Sequence, residues 1–110
     1  MKQKIDEYEW RVTLDNVSKS LSGQRAEVEI ASLSLGDQIA AEWLPVLGIT
    51  YDSGDDIVEV ALEGVDHIIS RPRELHLQLT DGHVAAIEII DGDGIQHIVK
   101  FKEPLMLAGP

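Results

Sequence analysis

Residues 73–102 read RELHLQLTDGHVAAIEIIDGDGIQHIVKFK, and this stretch decides the fold of the chain. Three runs of alternating apolar and polar side chains are separated by two short segments rich in aspartate and glycine. Alternation with a period of two is typical of a strand with one buried face. Aspartate followed by glycine is typical of hairpin turns. The stretch therefore predicts three antiparallel strands joined by two tight turns.

The register of the first hairpin follows from the requirement that its apolar side chains share one face, because a slip by a single residue reverses the face of every side chain. A three-residue loop at 80–82 places Leu75 opposite Ile87. A two-residue turn at 81–82 would instead place Leu75 opposite Glu88. The longer loop is therefore the prediction.

The same argument places the second loop at 92–94, with Ile89 opposite His97 and Ile87 opposite Val99. Both loops end in glycine, which accepts the left-handed conformation that such a loop needs. The side chains predicted to share the buried face are Leu75, Leu77, Leu79, Ala85, Ile87, Ile89, Ile95, Val99 and Phe101.

An N-terminal helix is predicted to pack on this sheet. Asp6 and Glu9 have the spacing of a capping box, and Gly23 is placed to end the helix. The apolar positions at helical spacing are Trp10, Leu14, Val17 and Leu21. A single apolar stripe implies a helix laid against another surface. The predicted contact is the second apolar face of the hairpins, formed by Val84, Ala86, Ile90 and Ile98. A strand at 9–14 remains the alternative.

Four further alternating runs predict additional strands at 25–31, 37–44, 47–51 and 58–62, with a connection at 63–67. Pro45 lacks an N–H group and predicts a break or a sheet edge. The predicted fold is therefore mainly β (α+β), in a single domain spanning 1–110. It consists of a curved antiparallel sheet of about seven strands, or a partly open barrel, with the N-terminal helix packed on it.

Composition narrows the class of protein. The 110 residues suffice for one buried core, and the absence of cysteine excludes disulfides, zinc–thiolate sites and thiol nucleophiles. The N-terminal sequence lacks the apolar segment of a signal peptide, and no run approaches the ~18 apolar residues of a membrane span. These observations predict a cytoplasmic protein.

Charge narrows the possible partners. Twenty acidic residues against nine basic ones give a formal net charge of −11. Nucleic acids and anionic membranes are bound through clustered lysine and arginine, so neither is a predicted partner. The acidic surface is compatible with a well-solvated protein or with a basic partner protein.

Asp66-His67 is the dipeptide with the clearest catalytic chemistry, because a carboxylate near an imidazole can orient it as a base. Neighbours on a strand point to opposite faces, however, and no Gly-x-Ser-x-Gly motif supplies a nucleophile. No catalytic residue is assigned, and an enzyme that uses Asp66 and His67 is the third functional hypothesis.

Four histidines raise the question of a metal site. In the predicted register, His83 and His97 flank opposite ends of the middle strand, roughly 20 Å apart at ~3.3 Å per residue. His76 lies on the other face, and no glycine-rich phosphate loop precedes a helix. Neither a metal nor a cofactor is therefore predicted. His97 is predicted to be half-buried, with ring nitrogens that need partners.

Trp43 and Tyr51 occupy predicted inward positions, where aromatic side chains either fill the core or line a pocket beneath the helix. The second functional hypothesis is accordingly a small-ligand-binding domain with its pocket near these two residues. Asp66 and His67 are the polar candidates for the same site.

Six segments carry a resemblance to a known family: EW at 9–10, ASLSLGDQ at 31–38, EWLPVLGITYD at 42–52, ALEGVDH at 61–67, RPRE at 71–74 and PLML at 104–107. Together they resemble a small bacterial family, the domain of unknown function five-three-three-five. The resemblance implies a bacterial, stand-alone cytoplasmic domain, and it assigns no site residues. The first functional hypothesis is a non-enzymatic accessory or protein-interaction module, with a protein partner or a second copy of the chain.

Overall fold

A computed structural model describes residues 1–106 of the chain. The elements in chain order are β1 (Lys2–Ile5), a 3-10 turn (Glu7–Glu9), α1 (Trp10–Ser18), β2 (Arg25–Ser32), β3 (Gly36–Asp52), β4 (Ile57–Leu62), β5 (Val65–Ser70), β6 (Glu74–Thr80), β7 (His83–Ile90) and β8 (Gln96–Leu105). Within this part of the chain, no helix has the length and apolar composition that a membrane crossing requires. Residues 107–110 lie outside the described part of the chain.

The strands form one antiparallel sheet in the order β1-β6-β7-β8-β2-β3-β4-β5. This confirms a mainly β fold with an N-terminal helix, and the sheet is open, with β1 and β5 at its two edges. A single core contains side chains from β4 and β5 together with side chains from β6, β7 and β8. The sheet therefore curls so that its two halves enclose one interior.

The strand count is eight rather than about seven, for three reasons. β1 was not predicted because only Ile5 of its four residues is buried. β5 was not predicted, since its first three residues were assigned to the connection at 63–67 and only Ile69 on this edge strand is fully buried. The runs predicted at 37–44 and 47–51 are one strand, β3, which continues through Pro45.

Proline is tolerated inside β3 because of its position in the ladder. Pro45 pairs with Arg25, the first residue of β2, so the ladder with β2 ends there. Beyond this point β3 pairs with β4 instead, after an irregularity between Val46 and Gly48. Leu47 was predicted to face inward but is 65% exposed, because this bulge changes the alternation of the strand.

The first hairpin does not have the predicted register. Thr80 pairs with His83 across a two-residue turn, and both central residues have positive φ, 52° at Asp81 and 79° at Gly82. One extra residue in β7, Ala85, forms a bulge that brings the apolar side chains back to one face. Leu77 consequently pairs with Ile87, and both are buried.

The second hairpin has the predicted register, since Ile89 pairs with His97 and Ile87 with Val99.

The bulge in β7 also changes which side chains lie on the predicted outer face. Val84 is fully buried in the core, whereas Ala86 lies on the opposite face, where it pairs with Gln78 and Lys100.

The helix packs on the inner face of the sheet and does not cover the outer one. Its buried side chains, Trp10, Leu14 and Val17, belong to the same core as Leu77 and Ile87. The indole Nε1 of Trp10 donates a hydrogen bond to the Ile5 carbonyl oxygen at 3.0 Å. α1 ends at Ser18, before the predicted stop at Gly23. The outer face of β6, β7, β8, β2 and β3 consequently has no covering element among residues 1–106.

Candidate functional site

Two histidines from different halves of the curled sheet meet at the core. His67 lies on edge strand β5 and pairs with Val60, while His97 lies on β8 and pairs with Ile89. The Nε2 atom of His67 is 2.9 Å from the Nδ1 atom of His97. His97 is 6% exposed and His67 is half-buried. In the sheet order, β2, β3 and β4 separate these strands, so the contact crosses the interior.

Asp91, which directly follows β7, is hydrogen-bonded to the other ring nitrogen of His97. Its Oδ2 atom is 2.9 Å from Nε2 of His97. Its Oδ1 atom accepts hydrogen bonds from the backbone N–H groups of Asp93 at 2.8 Å and Ile95 at 3.1 Å. We call the three side chains Asp91, His97 and His67 the histidine relay. The carboxylate is 8% exposed, and it both orders the 91–95 turn and orients the imidazole.

The hydrogen bonds of the relay assign its tautomers. An ionised carboxylate only accepts, so His97 must donate through Nε2–H to Asp91. In neutral His97 the Nδ1 atom is then an acceptor, and His67 must donate to it through Nε2–H. The Nδ1 atom of His67 remains as the basic end of the relay.

The electrostatics agree with this assignment. Burial alone raises the pKa of Asp91, but the hydrogen bonds from His97, Asp93 and Ile95 outweigh burial and leave it below its usual value. Burial, followed by repulsion from the neighbouring His97, lowers the pKa of His67 below 6.5. At neutral pH Asp91 is therefore a carboxylate and His67 is a neutral imidazole.

The structure separates the predicted Asp66–His67 pair. Asp66 is exposed and pairs with Ala61, whereas His67 points inward on the same face as Ile69. The carboxylate that serves the histidines is Asp91, which is distant in sequence and was missed by the sequence reasoning. The only sequence signal for this network was the buried register position of His97.

The relay suits a proton better than a metal ion. Two imidazole nitrogens converge, and a carboxylate behind a ligating histidine is a common second partner in metal sites. However, residues 1–106 contain no group of three or more histidine, aspartate and glutamate side chains that could hold a metal ion. Among residues 1–106, His67 lines none of four surface hollows with volumes of 360 to 480 Å³.

Trp43 lies at a different place, on the outer face of the sheet. It lines a hollow of about 410 Å³, which we call the outer hollow. Its lining residues are the apolar Trp43, Ala85, Ala86, Ile98 and Phe101 and the polar Gln78, Thr80, Glu88 and Lys100. The floor is formed by the strands themselves, and the hollow is open to solvent.

A β-bulge turns Trp43 toward this hollow. Glu42 and Trp43 together oppose the single residue Glu27 of β2, since Ala26 pairs with Leu44 and Val28 with Ala41. Trp43 has φ of 53°, a left-handed conformation that is unfavourable for a bulky side chain.

Tyr51 does not share the outer hollow with Trp43. Its ring packs edge-on against Trp10, with ring centroids 5.3 Å apart, and it contacts the core. Its hydroxyl donates to Asp56 at 2.9 Å. Burial and this hydrogen bond raise the pKa of Tyr51 to about 12. The four predicted ligand-binding residues, Trp43, Tyr51, Asp66 and His67, are thus not assembled around one cavity.

The fold and these sites define a small antiparallel β domain with one N-terminal helix. A family model described as "Family of unknown function (DUF5335)" matches residues 1–110, and the chain belongs to this family. An uncharacterized protein of Aquifex aeolicus (strain VF5) is 34% identical over 104 residues, which make up 94% of each chain. No solved structure matches the chain.

Proposed function

We propose that this protein is a non-enzymatic interaction module of the bacterial cytoplasm. Its partner is a basic segment of another protein, which lies across the outer face of the sheet and inserts an apolar side chain into the outer hollow beside Trp43. The observation that carries the proposal is the conformation of Trp43.

A left-handed φ at a non-glycine residue costs about 1–3 kcal/mol and persists where the surroundings demand it, commonly at binding sites. At Trp43 the bulge in β3 accounts for the left-handed backbone conformation. The guanidinium group of Arg25 donates a hydrogen bond to the Trp43 carbonyl oxygen at 3.0 Å. Bulges commonly re-aim a side chain next to a functional site. Tryptophan is also the residue type most enriched among interface residues that dominate binding energy.

The charges around the outer hollow favour a basic partner. Lys100 is 3.1 Å from Glu29 and 3.9 Å from Glu27, so one ammonium group is shared between two carboxylates. Glu88 pairs with Lys2 at 3.2 Å and accepts a hydrogen bond from Gln96. Together with the net charge of −11, this face attracts cations and repels acidic partners.

The shape of the outer hollow favours a protein over a free small molecule. Small-molecule sites bury roughly 70–90% of the ligand surface. The outer hollow is open above a sheet face, so a free ligand would keep one side in solvent. A side chain anchored there is covered from above by the rest of its own protein.

The test uses a phage-displayed library of random peptides selected against the full chain. We expect the selected peptides to contain lysine or arginine around one aromatic or large aliphatic residue. Binding is then measured by fluorine NMR after labelling both tryptophans with 5-fluorotryptophan. We expect the Trp43 signal to shift and the signal of Trp10, which is buried in the core, to stay in place.

Trp43→Ser is expected to weaken peptide binding at least tenfold, which corresponds to about 1.4 kcal/mol. Leu47→Ser is the matched control, because it removes an exposed apolar side chain from the same strand outside the outer hollow. Selected peptides that bind Trp43→Ser as tightly as the native chain would contradict the proposal, as would a library that yields no basic consensus.

A further inference from the structure

We propose that the histidine relay is a proton-operated clasp, which fastens edge strand β5 to β8 while at most one of its imidazoles is charged and releases β5 when both are charged. This inference concerns a part of the molecule other than the outer hollow.

The clasp acts on β5, one of the two edge strands of the sheet. β5 pairs on one side only, with β4, and its apolar side chains Val65 and Ile68 are exposed. Its inward side chains are His67 and Ile69, of which Ile69 is fully buried. The hydrogen bond from His67 to His97 is thus a direct polar link from β5 to the opposite half of the sheet.

One added proton leaves this link intact. If Nδ1 of His67 takes the proton, Nε2–H still donates to the neutral His97. If His97 becomes the cation, both of its N–H groups donate, one to Asp91 and one to a neutral His67 of the other tautomer. In either state the nitrogens, 2.9 Å apart, share one hydrogen.

A second proton removes the acceptor. Two N–H groups then face each other across 2.9 Å, and two positive charges lie in a site shielded from water. The two rings must separate, and the strand that can move is β5, because β8 is held between β7 and β2.

The charged groups around the pair do not offset this repulsion fully. Asp91 contacts His97 directly and supplies one negative charge. In the same turn, Asp93 is already paired with Arg71 at 3.0 Å. From the neighbouring strands, the residues opposite the pair are uncharged, Val60 on β4 opposite His67 and Ile30 on β2 opposite His97. Asp66 of β5 points to the other face.

The direction of the pH dependence follows from the lowered pKa of His67. Burial, and then His97, hold that pKa below the ordinary value of 6.5, so an open or unfolded state binds the proton more readily than the closed one. The stabilisation of the closed state by the histidine contact is complete above pH 6.5. It is lost as the pH falls from there through the lowered pKa of His67.

The test compares amide hydrogen-exchange protection factors in the full chain at about pH 7.5 and about pH 5. We expect protection in β5 to fall at least tenfold at the lower pH relative to β1, the other edge strand. His67→Gln keeps a donor for His97 but cannot take up a proton, and we expect its β5 protection to change no more than that of β1. His83→Gln, at the first residue of β7, is the control and should behave like the native chain.

The proposal is overturned if β5 and β1 lose protection in parallel, or if His67→Gln retains the native pH dependence. Nitrogen-15 spectra of the imidazoles in the native chain provide a second measurement that needs no variant. We expect two protonation steps, with the loss of β5 protection following the second. Opening that accompanies the first step, or precedes both, contradicts the clasp.

Discussion

At the scale of single residues, Asp91 connects more of the molecule than any other polar side chain in the relay. It accepts hydrogen bonds from His97, Asp93 and Ile95. Hydrogen bonds to a buried carboxylate are individually stronger than those between neutral groups, and loss of the carboxylate leaves its donors without an acceptor. The 91–95 turn and the orientation of His97 therefore depend on one residue.

Replacing Asp91 with alanine is expected to lower the free energy of unfolding by about 3 kcal/mol, because it leaves one imidazole and two backbone N–H groups without their acceptor. Urea denaturation at neutral pH measures the change. Asp93→Ala is the matched control in the same turn. It removes an exposed ion pair with Arg71 and should cost less than about 1 kcal/mol. Equal losses in the two variants would contradict the role assigned to Asp91.

At the scale of elements, a hydroxyl group attaches the helix to the sheet. The ladder between β2 and β3 ends at Pro45, so the β2-side edge of β3 has no strand partner beyond that residue. Ser18, the last residue of α1, accepts a hydrogen bond from the Ile49 N–H at 3.0 Å and donates one to the Ile49 carbonyl oxygen at 2.7 Å. This hydroxyl thus replaces the missing strand at one position.

Ser18→Ala is expected to destabilise the protein by about 1–2 kcal/mol, since it leaves a partly buried N–H and C=O of Ile49 without partners. Thermal unfolding followed by circular dichroism measures the effect. Ser22→Ala, an exposed serine between α1 and β2, should be near neutral. An unchanged melting temperature in Ser18→Ala would show that the hydroxyl does not fasten the helix.

Sequence patterns predicted those elements whose side chains alternate or repeat on one face. The second hairpin could be predicted with its register, and so could the apolar stripe of α1. The first hairpin could not, because the bulge at Ala85 adds one residue to β7 and leaves no distinct mark in the alternation. Pro45 led to the prediction of a break or a sheet edge. A strand tolerates proline where the ladder with its neighbour ends, and the sequence of β3 does not reveal where β2 ends.

At the scale of the whole molecule, the curl of the sheet brings together side chains that no local sequence pattern places near each other. His67 was predicted to lie in a connection, next to Asp66 in sequence, but the curl brings it to His97 from the other half of the sheet. The same long-range geometry separates Trp43 from Tyr51, although both were predicted to face inward. His67 and Trp43 could be named as candidates from sequence, whereas their partners depended on tertiary structure.

The curled architecture and the clasp both depend on the contact between β5 and β8 at the histidine relay. The most direct measurement is the scalar coupling between two nitrogen-15 nuclei across the hydrogen bond from His67 Nε2 to His97 Nδ1, recorded at about pH 7.5. We expect a resolved coupling between these two nitrogens, with His97 protonated at Nε2. A protonated Nδ1 on neutral His97, or no coupling between the two rings while both are observed, would contradict the account.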